Sequence, residues 1–252
     1  MRTRFQISAF LHKQARSLGL FHKKETQMTL TLTTISGSPR GWRVLLGLAF
    51  KGLTVEINEL KLSENEHKAE PFISLNPRGT VPVLESDGIV IRDSMAILAW
   101  LDRKFPQKPL FGSTDLEAAE IWQATMESRQ YLRQATADFL TPIFFQGASL
   151  DDKGTPKWET LLAASDVMQS EMRFLDTKLS DGRDFLVGDN PSAADAVSWT
   201  EIRLVQRASE TKPDLMTELG FAELANTFDR LEAWKQRVFE RRGVEATMPG
   251  HW

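Results

Sequence analysis

Two short segments, Val81-Pro82 and, with Ser94 thirteen residues on from Val81, Asp93-Ser94, carry most of the recognisable chemistry of this sequence. Pro82 lacks an N–H, so it is expected to start a strand, with a cis bond before it. That geometry leaves the Val81 backbone free to pair with an extended peptide. Ser94 stands where a helix should begin, and a helix N-terminus welcomes a carboxylate. A backbone edge with an anion site nearby suits a small acidic peptide. Other chemistries are excluded by composition. The chain has no cysteine, hence no disulfide and no thiol nucleophile of its own. Its four histidines are scattered and show no metal-ligand spacing.

The elements that position these groups can be read outward from them. Val81, Val83 and Leu84 form a strand, Asp87-Gly88 a tight hairpin turn, and Ile89 to Ile91 the return strand. A helix follows over Met95 to Lys104. Upstream, Leu30, Leu32 and Ile35 make a first strand. A helix over Trp42 to Lys51 places Val44, Leu45, Leu48 and Ala49 on one face and stops at Gly52. Thr54 to Leu60 is a second strand, with Val55 and Ile57 alternating. Glu66 to Leu75 is a short irregular helix containing Pro71. The order βαβ-α-ββα predicts a mixed sheet with helices on both faces, a thioredoxin-like arrangement.

The run N-P-R-G-T-V-P-V-L-E-S-D-G-I-V-I-R-D-S (Asn76 to Ser94) resembles the glutathione-binding half of cytosolic glutathione transferases. So do E-H-K-A-E-P-F-I-S-L-N-P (Glu66 to Pro77) and S-P-R-G-W-R-V (Ser38 to Val44). The resemblance is specific over about residues 30 to 106 and continues more weakly beyond. It implies glutathione as co-substrate and no metal. The family activates the glutathione sulfur with a tyrosine, serine or cysteine after the first strand. Here the only tyrosine is Tyr131, far downstream, which leaves Ser36 and Ser38. In the plant serine-type members the serine stands six positions before the valine of R-V, which is Ser38. Its hydroxyl would donate to the thiolate, helped by the helix N-terminus and Arg40. Ser38 before Pro39 also fits a plain helix cap. By the same resemblance His67 and Lys68 meet the glycyl carboxylate, and Thr80 stands where the family often has glutamine. Val81 contributes backbone, Ser94 binds the γ-glutamyl carboxylate, and Asp93 lies near the γ-glutamyl amine. Asp195 reads as a structural cap of a helix in the second half and not as a catalytic group, and Arg43 and Arg78 read as structural or solvated. Tyr131 and Phe139 to Phe145 are candidate walls for the electrophile.

After a linker from Phe105 to Pro109 the signals are helical. Thr114-Asp115-Leu116-Glu117 is a capping box opening a helix toward Pro142. Thr155-Pro156 opens another, carrying Met168, Met172, Leu175 and Leu179 and closed by Gly182. Ser192 to Asp195 is a second box. Leu224, Phe228, Leu231, Trp234 and Val238 form a last stripe ended by Gly243. The fold class is therefore α/β plus all-α: a thioredoxin-like domain over 28–106, then a helical domain of five or six helices over 107–252.

The 252 residues hold 41% hydrophobic and 26% charged residues, ordinary for a soluble globular protein. No apolar run is long enough for a membrane span, and a net charge of −3 argues against nucleic acid. Residues 1–27 differ, with six basic residues against Glu25 alone; 25 bases and 33 acids remain in the body. This segment fits a mitochondrial or plastid transit peptide, and equally a misassigned start, with Met28 directly before the first strand. Without such a leader the chain is expected in the cytoplasm.

Three functions fit these residues. The first is a transferase that conjugates glutathione to hydrophobic electrophiles in detoxification, with peroxidase activity as a variant. The second is a maleylacetoacetate-type isomerase, whose usual S-S-C-S run is here Ser38-Pro39-Arg40-Gly41. The third is a non-catalytic glutathione-binding module. The resemblance also implies a homodimer, with no membrane or nucleic-acid partner.

Overall fold

The computed structural model describes residues 30–222 and 224–252. The leader expected at 1–27 and the side chain of Leu224 lie outside the described residues.

The sheet half runs β1 (Leu30–Thr34), α1 (Pro39–Lys51), β2 (Glu56–Glu59), α2 (Phe72–Leu75), β3 (Val83–Ser86), β4 (Ile89–Arg92) and α3 (Ser94–Lys104). Strand order is β2-β1-β3-β4, with β1 and β2 parallel and the other pairs antiparallel. The hairpin turn forms as the dipeptide predicts, with φ of 47° at Asp87 and 81° at Gly88. Leu30, Leu32 and Leu84 pack with Val44 and Leu48 of α1 and Ile97 and Leu101 of α3. The opposite face, with Thr33 and Val83, is also buried.

Helix α1 is buried on two sides. Val44 and Leu48 face the sheet, while Trp42, Leu46 and Phe50, spaced by four, enter the larger core of the helical half. The single apolar face expected from the sequence is thus half of what the helix uses. Leu46 is fully buried, and Leu46→Ala would cost about 2–5 kcal/mol. Lys51 in the last turn is buried and donates to Asp102 at 3.1 Å and to the carbonyls of Gln107 and Lys108 at 3.2 and 3.0 Å. It pins the connecting segment.

Two expectations for this half change. All four residues of β2 are exposed, Ile57 included at 53%. The strand lies at the sheet edge, so alternation there does not mark a buried face. The helix expected over Glu66 to Leu75 is broken into a 3₁₀ turn, Glu66–Lys68, and α2, with Pro71 between them.

The helical half contains α4 (Asp115–Glu127), α5 (Arg133–Phe145), α6 (Pro156–Lys178), α7 (Ala193–Thr211), α8 (Pro213–Glu218), α9 (Leu224–Thr227) and α10 (Asp229–Phe239). A π-helical turn, Ser128–Leu132, joins α4 to α5. The helical path runs past Pro142 to Phe145 instead of stopping there. At α4, Thr114 accepts from the Glu117 amide at 3.2 Å, while the Glu117 carboxylate takes the Ser113 amide. The box at α7 closes fully between Ser192 and Asp195. Met168, Met172, Leu175 and Leu179 are buried as expected, although α6 ends at Lys178, before Gly182. Phe228, Leu231, Trp234 and Val238 are buried too. Helix α7 is the hub: Ala193 through Ile202 are buried without a break.

Candidate functional site

The chain leaves β1 at Thr34, turns at Ser36-Gly37 and enters α1 with Ser38 as N-cap. The Ser38 side chain makes no cap hydrogen bond. Its carbonyl accepts from the Trp42 amide at 2.8 Å, so the hydroxyl is uncommitted. It sits at the positive end of a 13-residue helix.

The segment from Glu66 to Val81 builds the facing wall. Lys68 Nζ donates to the Gly79 carbonyl at 2.8 Å and the Arg78 carbonyl at 3.4 Å. Asn76 Nδ2 donates to the Thr80 carbonyl at 2.6 Å and to Thr80 Oγ1 at 3.3 Å. Gly79 has φ 56°, and a Cβ there would meet the His67 carbonyl at 2.7 Å. Only glycine lets these two stretches pass. His67 Nδ1 is buried without a hydrogen-bond partner among the described residues. The Val81–Pro82 bond is cis, and the Val81 amide and carbonyl bond to nothing among the described residues.

Ser38, His67, Lys68, Thr80 and Val81 are brought together on one cleft of about 290 Å³, with Arg40 beside Ser38 and Arg133 reaching in from α5. No aspartate or glutamate lines it. Asp93 and Ser94 are not among its lining residues. They stand at the N-terminus of α3, where Asp93 at φ 79° accepts from the Met95 amide at 2.8 Å. The other Asp93 oxygen lies 3.7 Å from Arg129 on the π turn. Ser94 is buried, and its hydroxyl has no partner among the described residues.

Sequence reasoning missed the arginines behind the cleft. Glu201 on α7 is fully buried and has one oxygen 3.1 Å from Arg43 and the other 3.1 Å from Arg133. Arg43, expected to be structural or solvated, is buried and structural. Burial pushes the Arg43 guanidinium down, opposed by Glu201. Burial pushes the Glu201 carboxyl up, opposed by Arg133 and Arg43. The pair stays ionised, because a paired guanidinium does not give up its proton at ordinary pH. The same bridge joins α1 to the helical half, beside Trp42 and Trp199 in edge contact at 5.1 Å.

The C-terminal residues were also unforeseen. Trp42 Nε1 donates to Thr247 Oγ1 at 2.9 Å, and Trp252 packs edge-on against Trp42 at 4.9 Å. Arg203 and Arg207 lie over the Trp252 ring. Trp252 Nε1 donates to His251 Nε2 at 3.0 Å, and His251 Nδ1 lies 3.5 Å from Ser36 Oγ. Ser36 is thus turned to this segment, while Ser38 faces the cleft. Of the candidate wall residues, Phe139 is core, stacked on Phe221, and Tyr131 is 56% exposed and not on the cleft.

Asp195 is a fully buried cap. It accepts from the Leu186 and Ser192 amides, the Ser192 hydroxyl and Trp234 Nε1 at 2.8–2.9 Å. Among the described residues no cluster suits a metal, and no helix is long and apolar enough to cross a membrane.

Comparison with known proteins gives the family. Residues 37–104 match the family model for the glutathione S-transferase N-terminal domain, and residues 136–242 match that for the C-terminal domain. Glutathione S-transferase 1 of Dianthus caryophyllus is 45% identical over 100 residues, 40% of this chain and 45% of that protein. That match therefore spans less than half of the plant protein. Glutathione S-transferase theta-1 of Mus musculus is 27% identical over 202 residues, 78% of this chain and 76% of the relative. The crystal structure of a glutathione S-transferase from the clam Laternula elliptica superposes with a TM-score of 0.73 at 24% identity, over 89% of this chain and 94% of that one. With both halves matched in order by models of one family, the chain belongs to the glutathione S-transferases.

Proposed function

We propose that this protein binds reduced glutathione in the Ser38 cleft and transfers its sulfur to an electrophilic carbon. The observation that carries this is the uncommitted Ser38 hydroxyl, facing a cleft with four basic side chains and no acid. The peptide lies along the free Val81 backbone. Its glycyl carboxylate meets His67, whose Nδ1 lacks a partner, and Lys68. Its γ-glutamyl end reaches Ser94 and Asp93. The sulfur comes to Ser38.

A free thiol of pKa about 8.5 is only a few per cent ionised at neutral pH. A lowering of about two units, worth about 2.7 kcal/mol, makes it mostly thiolate. The Ser38 hydroxyl supplies one charge-assisted hydrogen bond, and the α1 N-terminus and Arg40 supply positive potential. The thiol proton leaves to solvent, and the sulfur lone pair then forms the new S–C bond. The leaving group departs with its bonding pair or, at an enone, the π pair moves to the carbonyl oxygen and the product takes a proton from solvent. Ser38 is a donor throughout and forms no covalent bond.

A panel of electrophiles assayed with and without glutathione tests this reading. Glutathione-dependent turnover of at least one class is expected; none across haloarenes, enones and epoxides would sink it. The protein is also proposed to be a homodimer, by family alone. Light scattering at micromolar concentration giving the single-chain mass of 28.5 kDa would contradict that.

A further inference from the structure

Charges around Glu201 do not balance. Arg43 and Arg133 share its two oxygens at 3.1 Å each. Two guanidiniums thus share one carboxylate, and Arg40 stands with Arg133 on the same cleft. Arg43 is sealed in the core. Arg40 and Arg133 are not: both line the cleft at Ser38, with 29% of the Arg133 side chain open to solvent. No acid on the cleft wall neutralises them.

In the proposed placement neither glutathione carboxylate meets this charge, and Arg40 contributes only potential at the sulfur. Its two carboxylates go to the His67-Lys68 side and to Ser94, and its sulfur to Ser38. Arg133 comes from α5 of the helical half, across the cleft from the peptide. Glu201 takes one of its terminal nitrogens, which fixes the fork in place. The remaining N–H groups have no partner among the described residues. A held guanidinium with spare donors suits a carboxylate, which it can grip with two parallel bonds.

We infer that Arg133, assisted by Arg40, forms an anion subsite for the second substrate, and that this protein favours electrophiles carrying a carboxylate next to the attacked carbon. The inference rests on the transferase reading above. Arg133 acts here as a specificity-determining residue, while the thiolate is held by Ser38 with the α1 N-terminus and Arg40.

Iodoacetate and iodoacetamide make a matched test pair, alike in size and differing in charge. With either, the glutathione sulfur forms a bond to the methylene carbon, the C–I bond breaks, iodide leaves with its electron pair, and the thiol proton goes to solvent. The chain has no cysteine for these reagents to alkylate. Each enzymatic rate is divided by the uncatalysed rate with glutathione. The expected rate enhancement is about 10- to 100-fold larger for iodoacetate, the range for a charge-assisted bond on a partly exposed site. Arg133→Gln should bring the ratio of the two enhancements toward one, and Arg133→Lys should keep part of it. Arg40→Gln leaves both Glu201 ion pairs intact and should lower the ratio by a smaller factor; it keeps the test alive if Arg133→Gln does not fold. Equal enhancement of both reagents by the wild type would overturn the inference, as would a ratio unchanged in both Arg133→Gln and Arg40→Gln. If neither reagent were accelerated, the transferase reading would fail first and the subsite with it.

Discussion

Replacing Ser38 by alanine separates chemistry from binding and from folding. The Ser38 hydroxyl makes no cap hydrogen bond and has no partner among the described residues, so the usual cost of losing an N-cap side chain does not apply. The melting temperature should move by no more than about 2 °C. The lost interaction is one hydrogen bond to a thiolate, roughly 1.5–3 kcal/mol. That corresponds to a rise of about 1–2 units in the pKa of the bound thiol. Losing the main donor to an anion typically costs about 10²–10³ in rate. Arg40 and the α1 N-terminus remain at the cleft, so a fall of about 10- to 100-fold at pH 6.5 is expected. The assay is initial rate with a chromogenic electrophile at saturating glutathione from pH 6 to 9.5. Activity of the variant should approach the wild type above the raised pKa, where the thiol ionises unaided. Glutathione affinity should barely change, since His67, Val81 and Ser94 still hold the peptide. Full activity of Ser38→Ala at pH 6.5 with loss in Ser36→Ala would assign the sulfur contact to Ser36 instead. An unchanged thiol pKa in both variants would refute the serine-donor mechanism.

Two other predictions concern the scaffold. Asp195→Ala leaves several buried donors without an acceptor and should cost about 3–5 kcal/mol, a fall in melting temperature on the order of 10 °C; a shift under about 2 °C would contradict the structural role. Glu171 has its carboxyl raised by burial and then by the neighbouring Glu127. A raised carboxyl means the folded protein holds that proton more tightly than the unfolded chain, so the ionised side chain opposes folding at higher pH. Glu171→Gln should therefore raise the melting temperature at pH 7 and lose that advantage below the ordinary glutamate value of 4.5; a variant less stable than wild type at pH 7 would refute this.

Most of the scaffold was legible because local rules and packing agree. The Asp87-Gly88 turn, the Ser192–Asp195 box and the Met168-Met172-Leu175-Leu179 stripe each have one low-energy solution, and each forms. The cleft residues from Ser38 to Val81 were legible from motif order, since they lie close in sequence. The arginines were not. Arg129 and Arg133 owe their positions to the π turn at Ser128–Leu132, which inserts a residue and rotates α5 relative to α4; no 3.6-residue period foretells that. Arg43 carries no sequence sign that its partner, Glu201, waits 158 residues away. Edge position overrode alternation at Ile57. The segment Thr247 to Trp252 has no periodicity, and only long-range contacts to Trp42, Arg203 and Arg207 place it.

The central claim is that glutathione is held in this cleft as its thiolate. Calorimetric titration of the wild type with reduced glutathione at pH 7.5, repeated in buffers of different ionisation enthalpy, measures binding and proton release together. A bound thiol lowered by about two units predicts saturable binding with release of most of one proton per glutathione. Ser94→Ala should weaken that binding by about 1.5–3 kcal/mol. No saturable heat up to several millimolar, or binding without proton release, would contradict the claim.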